Sequence, residues 1–398
     1  MKRSHAATCI ALAAAFLAAM TPVAKCDEAG VSADAILFGQ AAVLEGPSSM
    51  LGQRMRHGIV AAFNEVNAKG GVHGRKLQLV SRDDGYDPDR SVAQTLRLIQ
   101  DDKVFALIGA VGTPTAMATI PFTSTRDVPF IGPLSGAEFL RDLELPNVVN
   151  IRASYRAESE TLIRHLTEDR RFSRIGIFYQ DDSFGRDGLA GVKEALAKRG
   201  LELAVEGTFE RNTRAVGAAW RTIKRAEPEA IVMVGTYSAS AEFIKLAHRD
   251  GVHPTFASIS FVGATALARE LGSGGEGVVV AQVVPFPWDR SIKLVADYQA
   301  AQKALDPTQA PDFVSLEGYL SGRLAAAALD KAGPNPTRAN LLRTINDTGR
   351  FDISGSVITV GTRAIETPPQ VFLTIIQRDG TFRPVDQLPK AAASSAPR

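Results

Sequence analysis

Cysteine is nearly absent: the 398 residues contain two, Cys9 and Cys26. Cys9 lies inside an N-terminal apolar run, so one cysteine remains elsewhere, which excludes an intramolecular disulfide framework and a cysteine-based metal site. Long apolar runs are equally scarce. Beyond residues 9–20 (CIALAAAFLAAM), no stretch is long and apolar enough for a membrane span. No charge of one sign dominates: the formal net charge is +2, and no basic stripe interleaved with aromatics appears, which argues against nucleic acid as a partner. The six histidines are scattered without ligand spacing. The chain has no P-loop, no G-x-S-x-G elbow and no H-E-x-x-H pair. Residues 181–188 (DDSFGRDG) look like a calcium loop, but Phe184 and Arg186 fall where oxygen ligands are needed. No cofactor, metal or catalytic set is therefore expected.

What is present begins with an export signal. Lys2 and Arg3 precede the Ala/Leu-rich run, which is too short to span a bilayer, so residues 1–25 read as a signal peptide and the mature protein as periplasmic. Loss of the two cations brings the mature charge to about zero. Val23-Ala24-Lys25-Cys26 is similar to a lipoprotein cleavage motif, but Lys25 occupies the place of a small residue. Ordinary cleavage is thus favoured over a lipid anchor at Cys26. The length suits two domains, and 45% hydrophobic with 22% charged residues is ordinary for a soluble globular chain.

From residue 36 onward, short apolar runs alternate with amphipathic stretches. Strands are expected over 36–43, 77–81 and 128–132, with a helix over 54–68 stopped by Gly70-Gly71. Asp87 and Pro88 read as the cap and first position of a helix whose buried stripe is Val92, Leu96 and Ile99. After residue 155 the alternation resumes, with strands over 175–179, 201–205, 231–234, 256–261 and 278–284. Helices are expected between them at 188–198, 216–225, 239–248 and 264–271. This pattern means parallel sheets with helices on both faces, in two doubly wound lobes. Helices over 292–305, 313–332 and 338–346 follow, then strand-like runs at 357–360 and 371–377. The chain is therefore expected to cross back to finish the first lobe. Residues 390–398, rich in Ala, Ser and Pro, read as disordered.

The most informative stretch is 104–117, VFALIGAVGTPTAM. A buried strand breaks at Gly109 and Gly112 and enters a helix through Thr113-Pro114-Thr115. Such a turn gathers free backbone N–H groups, a hydroxyl and the positive end of a helix dipole, a combination that favours a small anion. Further polar or aromatic residues stand just past strand ends in both halves: Thr115, Ser135, Gly136, Phe184, Tyr237, Ser238 and Ser260. That edge of an open α/β sheet is where ligands bind.

The order and spacing of several short motifs are similar to those of the periplasmic leucine/isoleucine/valine-binding proteins of ABC importers. These motifs are Gly46-Pro47, the run from Asn67 through Gly70-Gly71 to Gly74, Asp83-Asp84 before Asp87-Pro88, Ile108-Gly109, Pro133-Leu134-Ser135-Gly136, and Phe184-Gly185 followed by Gly188. The resemblance runs from about residue 36 to 382. It implies a type I periplasmic binding fold, a Venus-flytrap of two lobes joined by a three-strand hinge near 152–154, 284–286 and 354–358. Residues 35–153 with 285–355 would form lobe one, residues 154–284 with 356–385 lobe two, and 386–398 a disordered tail. It also implies that Thr113 and the Ser135-Gly136 segment hold a ligand carboxylate, that Phe184 and Tyr237 face it from the second lobe, and that Phe313 adds a side-chain contact. Two positions depart from the family. Ser260 stands where amino-acid binders carry a Glu for the ammonium group, and Leu51 where a Tyr can occur. The expected function is that of an exported solute-binding protein, not an enzyme. It would bind a small carboxylate, either an amino acid or a related aliphatic or aromatic acid, and deliver it to the membrane permease of an ABC importer. The alternative is a flytrap that signals ligand rather than handing it on, and a third, an exported hydrolase, lacks a nucleophile–base set.

Overall fold

The computed structural model describes residues 28–361 and 370–389. The expected signal peptide, Cys26 and the segment 390–398 lie outside the described residues.

The first lobe opens with β1 (Ala35–Ala42), α1 (Ser49–Ala68), β2 (Lys76–Asp83) and α2 (Pro88–Gln100). It continues through β3 (Ala106–Ile108), α3 (Thr113–Ser124), β4 (Phe130–Ile131) and β5 (Val148–Val149). The second contains α4 (Tyr155–Glu168), β6 (Ile175–Gln180), α5 (Ser183–Ala197), β7 (Val205–Phe209) and α6 (Gly217–Arg225). Then come β8 (Ala230–Val234), α7 (Tyr237–Arg249), β9 (Thr255–Ser258), α8 (Ala264–Leu271) and β10 (Val279–Gln282). Helices α9 (Lys293–Leu305), α10 (Phe313–Ala332) and α11 (Arg338–Thr348) return to the first lobe, where α9 and α10 pack on α1. A hairpin of β11 (Arg350–Ile353) and β12 (Ser356–Thr359) follows. Antiparallel strands β13 (Phe372–Ile376) and β14 (Phe382–Val385) then extend the second sheet beyond β10.

Among the described residues the two sheets repeat one plan. The first has the order β2-β1-β3-β4-β5 and the second carries β7-β6-β8-β9-β10, all parallel. Strands such as β6 (IGIFYQ) and β8 (AIVMV) are buried along their whole length, as a sheet covered on both faces requires. The helix starts follow from side-chain caps: Asp87, Ser154, Asp182, Asp312 and Thr337 each accept a backbone N–H at the start of α2, α4, α5, α10 and α11. Helices α1 and α10 lie in backbone contact. A β-carbon added at Gly58 would stand 1.9 Å from the Ser315 carbonyl oxygen, and one at Gly318 would stand 2.3 Å from that of Met55.

Several expected details differ. The buried face of α2 carries Ser91, Thr95, Leu98 and Ile99 rather than Val92 and Leu96, because Ser91 turns inward to hydrogen-bond buried Asp84 at 2.8 Å. Strand β7 begins at Val205, not 201, since its pairing with β6 matches Gly176 to Val205. Helix α4 was not expected, because its sequence is dominated by charge and its apolar stripe is short. Ser354 and Gly355 take positive φ values of 54° and 82° and reverse the chain into the β11–β12 hairpin, and Ser356–Thr359 line the same cavity as residues 151–152 and 283–285. Of the expected disordered tail, residues 386–389 pack on the second lobe, where Leu388 is buried and its N–H donates to Asp169.

Candidate functional site

In each parallel sheet the strand order reverses around its first strand, and the crevice beyond the strand carboxyl ends at that point is the natural ligand position. The two crevices face one another and are shut. The N–H of Met50 donates to the Tyr237 hydroxyl at 3.3 Å, Gln180 Nε2 to the Tyr86 hydroxyl at 3.2 Å, and Asn212 Nδ2 to the Gly85 carbonyl at 3.0 Å.

At the first-lobe end, β3 runs into α3 through Gly112, whose φ of +108° suits glycine. A β-carbon there would also stand 2.3 Å from the Tyr86 ring. Thr113 is the first residue of α3, and its Oγ1 lies 2.8 Å from Ser135 Oγ, both fully buried. The N–H groups of Thr113 and Thr115 fall in the first helical turn, where no intrahelical acceptor exists. The Tyr155 hydroxyl is buried beside this pair and faces the Thr113 and Ser135 hydroxyls. Burial pushes its pKa up to about 12, against the pull of the Arg152 charge and the Thr113 and Ser135 hydroxyls. Two hydroxyls, a neutral phenol and a helix N-terminus thus converge. Together they supply donors and positive potential without a formal charge, which is the chemistry that holds a carboxylate.

Around this end stand four fully buried rings from both lobes. Phe184 lies 5.3 Å from Tyr155 and 4.6 Å from Phe261 between centroids, and Tyr86 lies 6.1 Å from Phe261. They pack on one another and form an apolar wall beside the hydroxyls.

Ser260 anchors a charged cluster at the hinge. Its N–H donates to Glu158 Oε2 at 2.6 Å and its Oγ to Glu158 Oε1 at 3.1 Å, while Arg152 Nη2 donates to the same Oγ. Arg152 is 2% exposed, lies 3.6 Å from both Glu158 and Glu317, and stands 5.9 Å from the Tyr155 ring centre. Burial works against its charge, but Glu317 and Glu158 outweigh it and raise the guanidinium pKa. Burial pushes the Glu317 carboxyl up to about 7, with Arg152 opposing and Glu158 reinforcing the shift. Glu317 lines a cavity of about 290 Å³ at the hinge with Val284, Ile358 and Phe372.

The structure therefore brings together Thr113, Ser135, Gly136 and Phe184. Gly136 is held by its carbonyl accepting the Tyr155 N–H at 2.8 Å, and a β-carbon on it would strike the Tyr155 ring. Tyr237 closes the cleft through Met50 rather than reaching Thr113. Ser260 joins the site's edge through Arg152 and its neighbour Phe261. Thr115 turns away, its Oγ1 bonded to the Val111 and Gly112 carbonyls. Phe313 belongs to a separate aromatic group with Phe286, Trp288 and Phe382. Sequence reading missed Tyr86, Arg152, Tyr155 and Phe261. Tyr86 had a readable signal: it sits between the strand-end pair Asp83-Asp84 and the helix cap Asp87, at a strand carboxyl end.

Among the described residues no group of three or more His, Cys, Asp or Glu side chains is placed to hold a metal, and no helix is long and apolar enough to cross a membrane. A family model described as periplasmic binding protein matches residues 35–368. A possible leucine/isoleucine/valine-binding protein from Rhodopirellula baltica SH 1 superposes with a TM-score of 0.83 and 35% identity, covering 89% of this chain and 97% of that one. The Leu/Ile/Val-binding protein homolog 7 of Brucella abortus (strain 2308) is 26% identical over 57% of this chain, and the match spans only 58% of that relative. The leucine-, isoleucine-, valine-, threonine- and alanine-binding protein of Pseudomonas aeruginosa is 22% identical over 82% of this chain and 88% of its own length.

Proposed function

The chain belongs to the periplasmic binding protein family, in its Leu/Ile/Val-binding branch with the type I fold, and we propose that it is an exported solute-binding protein for a small carboxylate. Thr113, Ser135 and Tyr155 with the start of α3 take the carboxylate, and the four rings border the body. The observation that carries this reading is the buried Thr113–Ser135 hydroxyl pair at a helix N-terminus, with the buried Tyr155 hydroxyl facing it. Among the described residues neither hydroxyl of the pair hydrogen-bonds an imidazole or a carboxylate, which supports capture and release over hydrolysis. Contacts made from both lobes stabilise the closed form when ligand is present. That closed form is what an ABC permease would recognise.

The experiment is a thermal-shift screen of amino acids, oxo acids and aromatic acids. A ligand at 100 times its Kd should stabilise the protein by about 2.7 kcal/mol. Failure of every small carboxylate to raise the Tm overturns the reading.

A further inference from the structure

A second cavity, of about 540 Å³, lies in the second lobe on the side away from the cleft. Thr255 and Val279, at the amino ends of β9 and β10, line it together with Ile376 at the end of β13. The cleft borders the carboxyl ends of the parallel strands, so the body of the sheet separates the two spaces. Val279 and Ile376 are buried and give this cavity an apolar floor. Its ionisable lining is Arg170, Arg383, His248 and His253 against a single carboxylate, Glu276, among the described residues. Arg170 is spent only on neutral acceptors: Nη1 donates to the Pro389 carbonyl at 2.7 Å and Nη2 to the Thr255 hydroxyl at 3.3 Å. Its Nε is buried with no hydrogen-bond partner among the described residues. Burial lowers the guanidinium pKa and no neighbouring charge opposes the shift. The adjacent acid, Asp169, is taken up by His165 at 2.6 Å and by the Leu388 N–H at 2.8 Å. The His248 and His253 rings stand 4.8 Å apart, and neither hydrogen-bonds another described residue. Each keeps an N–H donor in either tautomer.

A partly buried guanidinium without a counter-charge is stabilised by an anion that reaches it, and its fork of donors suits carboxylate or phosphate oxygens. The volume fits a small organic molecule better than a lone inorganic ion, and the floor offers a surface for an apolar part. We propose that this cavity is a second ligand site, for a small organic anion bearing a carboxylate or phosphate group on an apolar body, held by Arg170 and Arg383 with the two imidazoles. The site lies outside the cleft and does not depend on the ligand assigned there.

The test is calorimetric titration of the full chain with benzoate and with phenyl phosphate, inorganic phosphate serving as the ion without an apolar body. At least one aromatic anion should bind saturably below about 10 mM, and roughly tenfold or more tighter than inorganic phosphate. Binding of benzoate alone assigns a carboxylate, binding of phenyl phosphate alone a phosphate ester, and binding of both the shared anionic group. The affinity should fall at least roughly tenfold in the double variant Arg170→Gln/Arg383→Gln. Arg383 is exposed, so Arg383→Gln alone keeps the fold and should weaken binding about threefold or more even if the double variant does not fold. Binding that disappears in Thr113→Ala belongs to the cleft, and if no anion binding remains in that variant the proposal is overturned. It is also overturned if neither aromatic anion binds, if inorganic phosphate binds as tightly, or if Arg383→Gln leaves the affinity unchanged.

Discussion

Thr113 carries the most specific prediction at the residue scale. Its hydroxyl is buried at the start of α3 and shared with Ser135. Thr113→Ala removes one donor to a charged ligand group, worth roughly 1.5–3 kcal/mol, so affinity should fall about tenfold to a hundredfold by calorimetry while the protein stays folded. Unchanged affinity would place the carboxylate elsewhere. Glu317 carries a pH prediction. Its folded-state pKa is raised from 4.5 to about 7, chiefly by burial. Between those values the folded chain holds a proton that the unfolded chain has released, so stability falls as pH rises through the window and levels off above it. Glu317→Gln should flatten that slope and raise stability at pH 8 by roughly 1–3 kcal/mol, read from melting curves at pH 5 and pH 8.

At the scale of elements, the α1–α10 contact depends on absent side chains. Gly318→Val drives a branched side chain into the backbone of Met55 and should destabilise by about 1–3 kcal/mol or more. Gly217→Ala, at the open start of α6, should be neutral or gain up to about 1 kcal/mol. Comparable Tm losses in the two variants would mean that the helices are not packed as closely as described. The alternation of strands and helices was legible because buried parallel strands are nearly all apolar and helix caps are local. Asp87 and Pro88 announced α2, and Gly112-Thr113 announced the turn into α3. What was not legible depended on partners distant in sequence. The place of β7 is set by its register with β6, the inward turn of Ser91 by Asp84, and the isolation of Phe313 by rings at 286, 288 and 382. In the same way, the position of Ser260 was readable but its function was not. Only the fold shows that Arg152 and Glu158 occupy both sides of its hydroxyl.

At the scale of the whole molecule, two lobes of like topology meet across a cleft with few direct polar links among the described residues, Met50–Tyr237, Tyr86–Gln180 and Asn212 to Gly85 and Tyr86 being examples. So few contacts leave ligand interactions to decide between open and closed forms. Small-angle X-ray scattering on the protein, with and without a saturating carboxylate from the thermal-shift screen, tests the clamp directly. A smaller radius of gyration with ligand, absent in Thr113→Ala at the same ligand concentration, is the predicted result. Superimposable profiles with and without saturating ligand would contradict it.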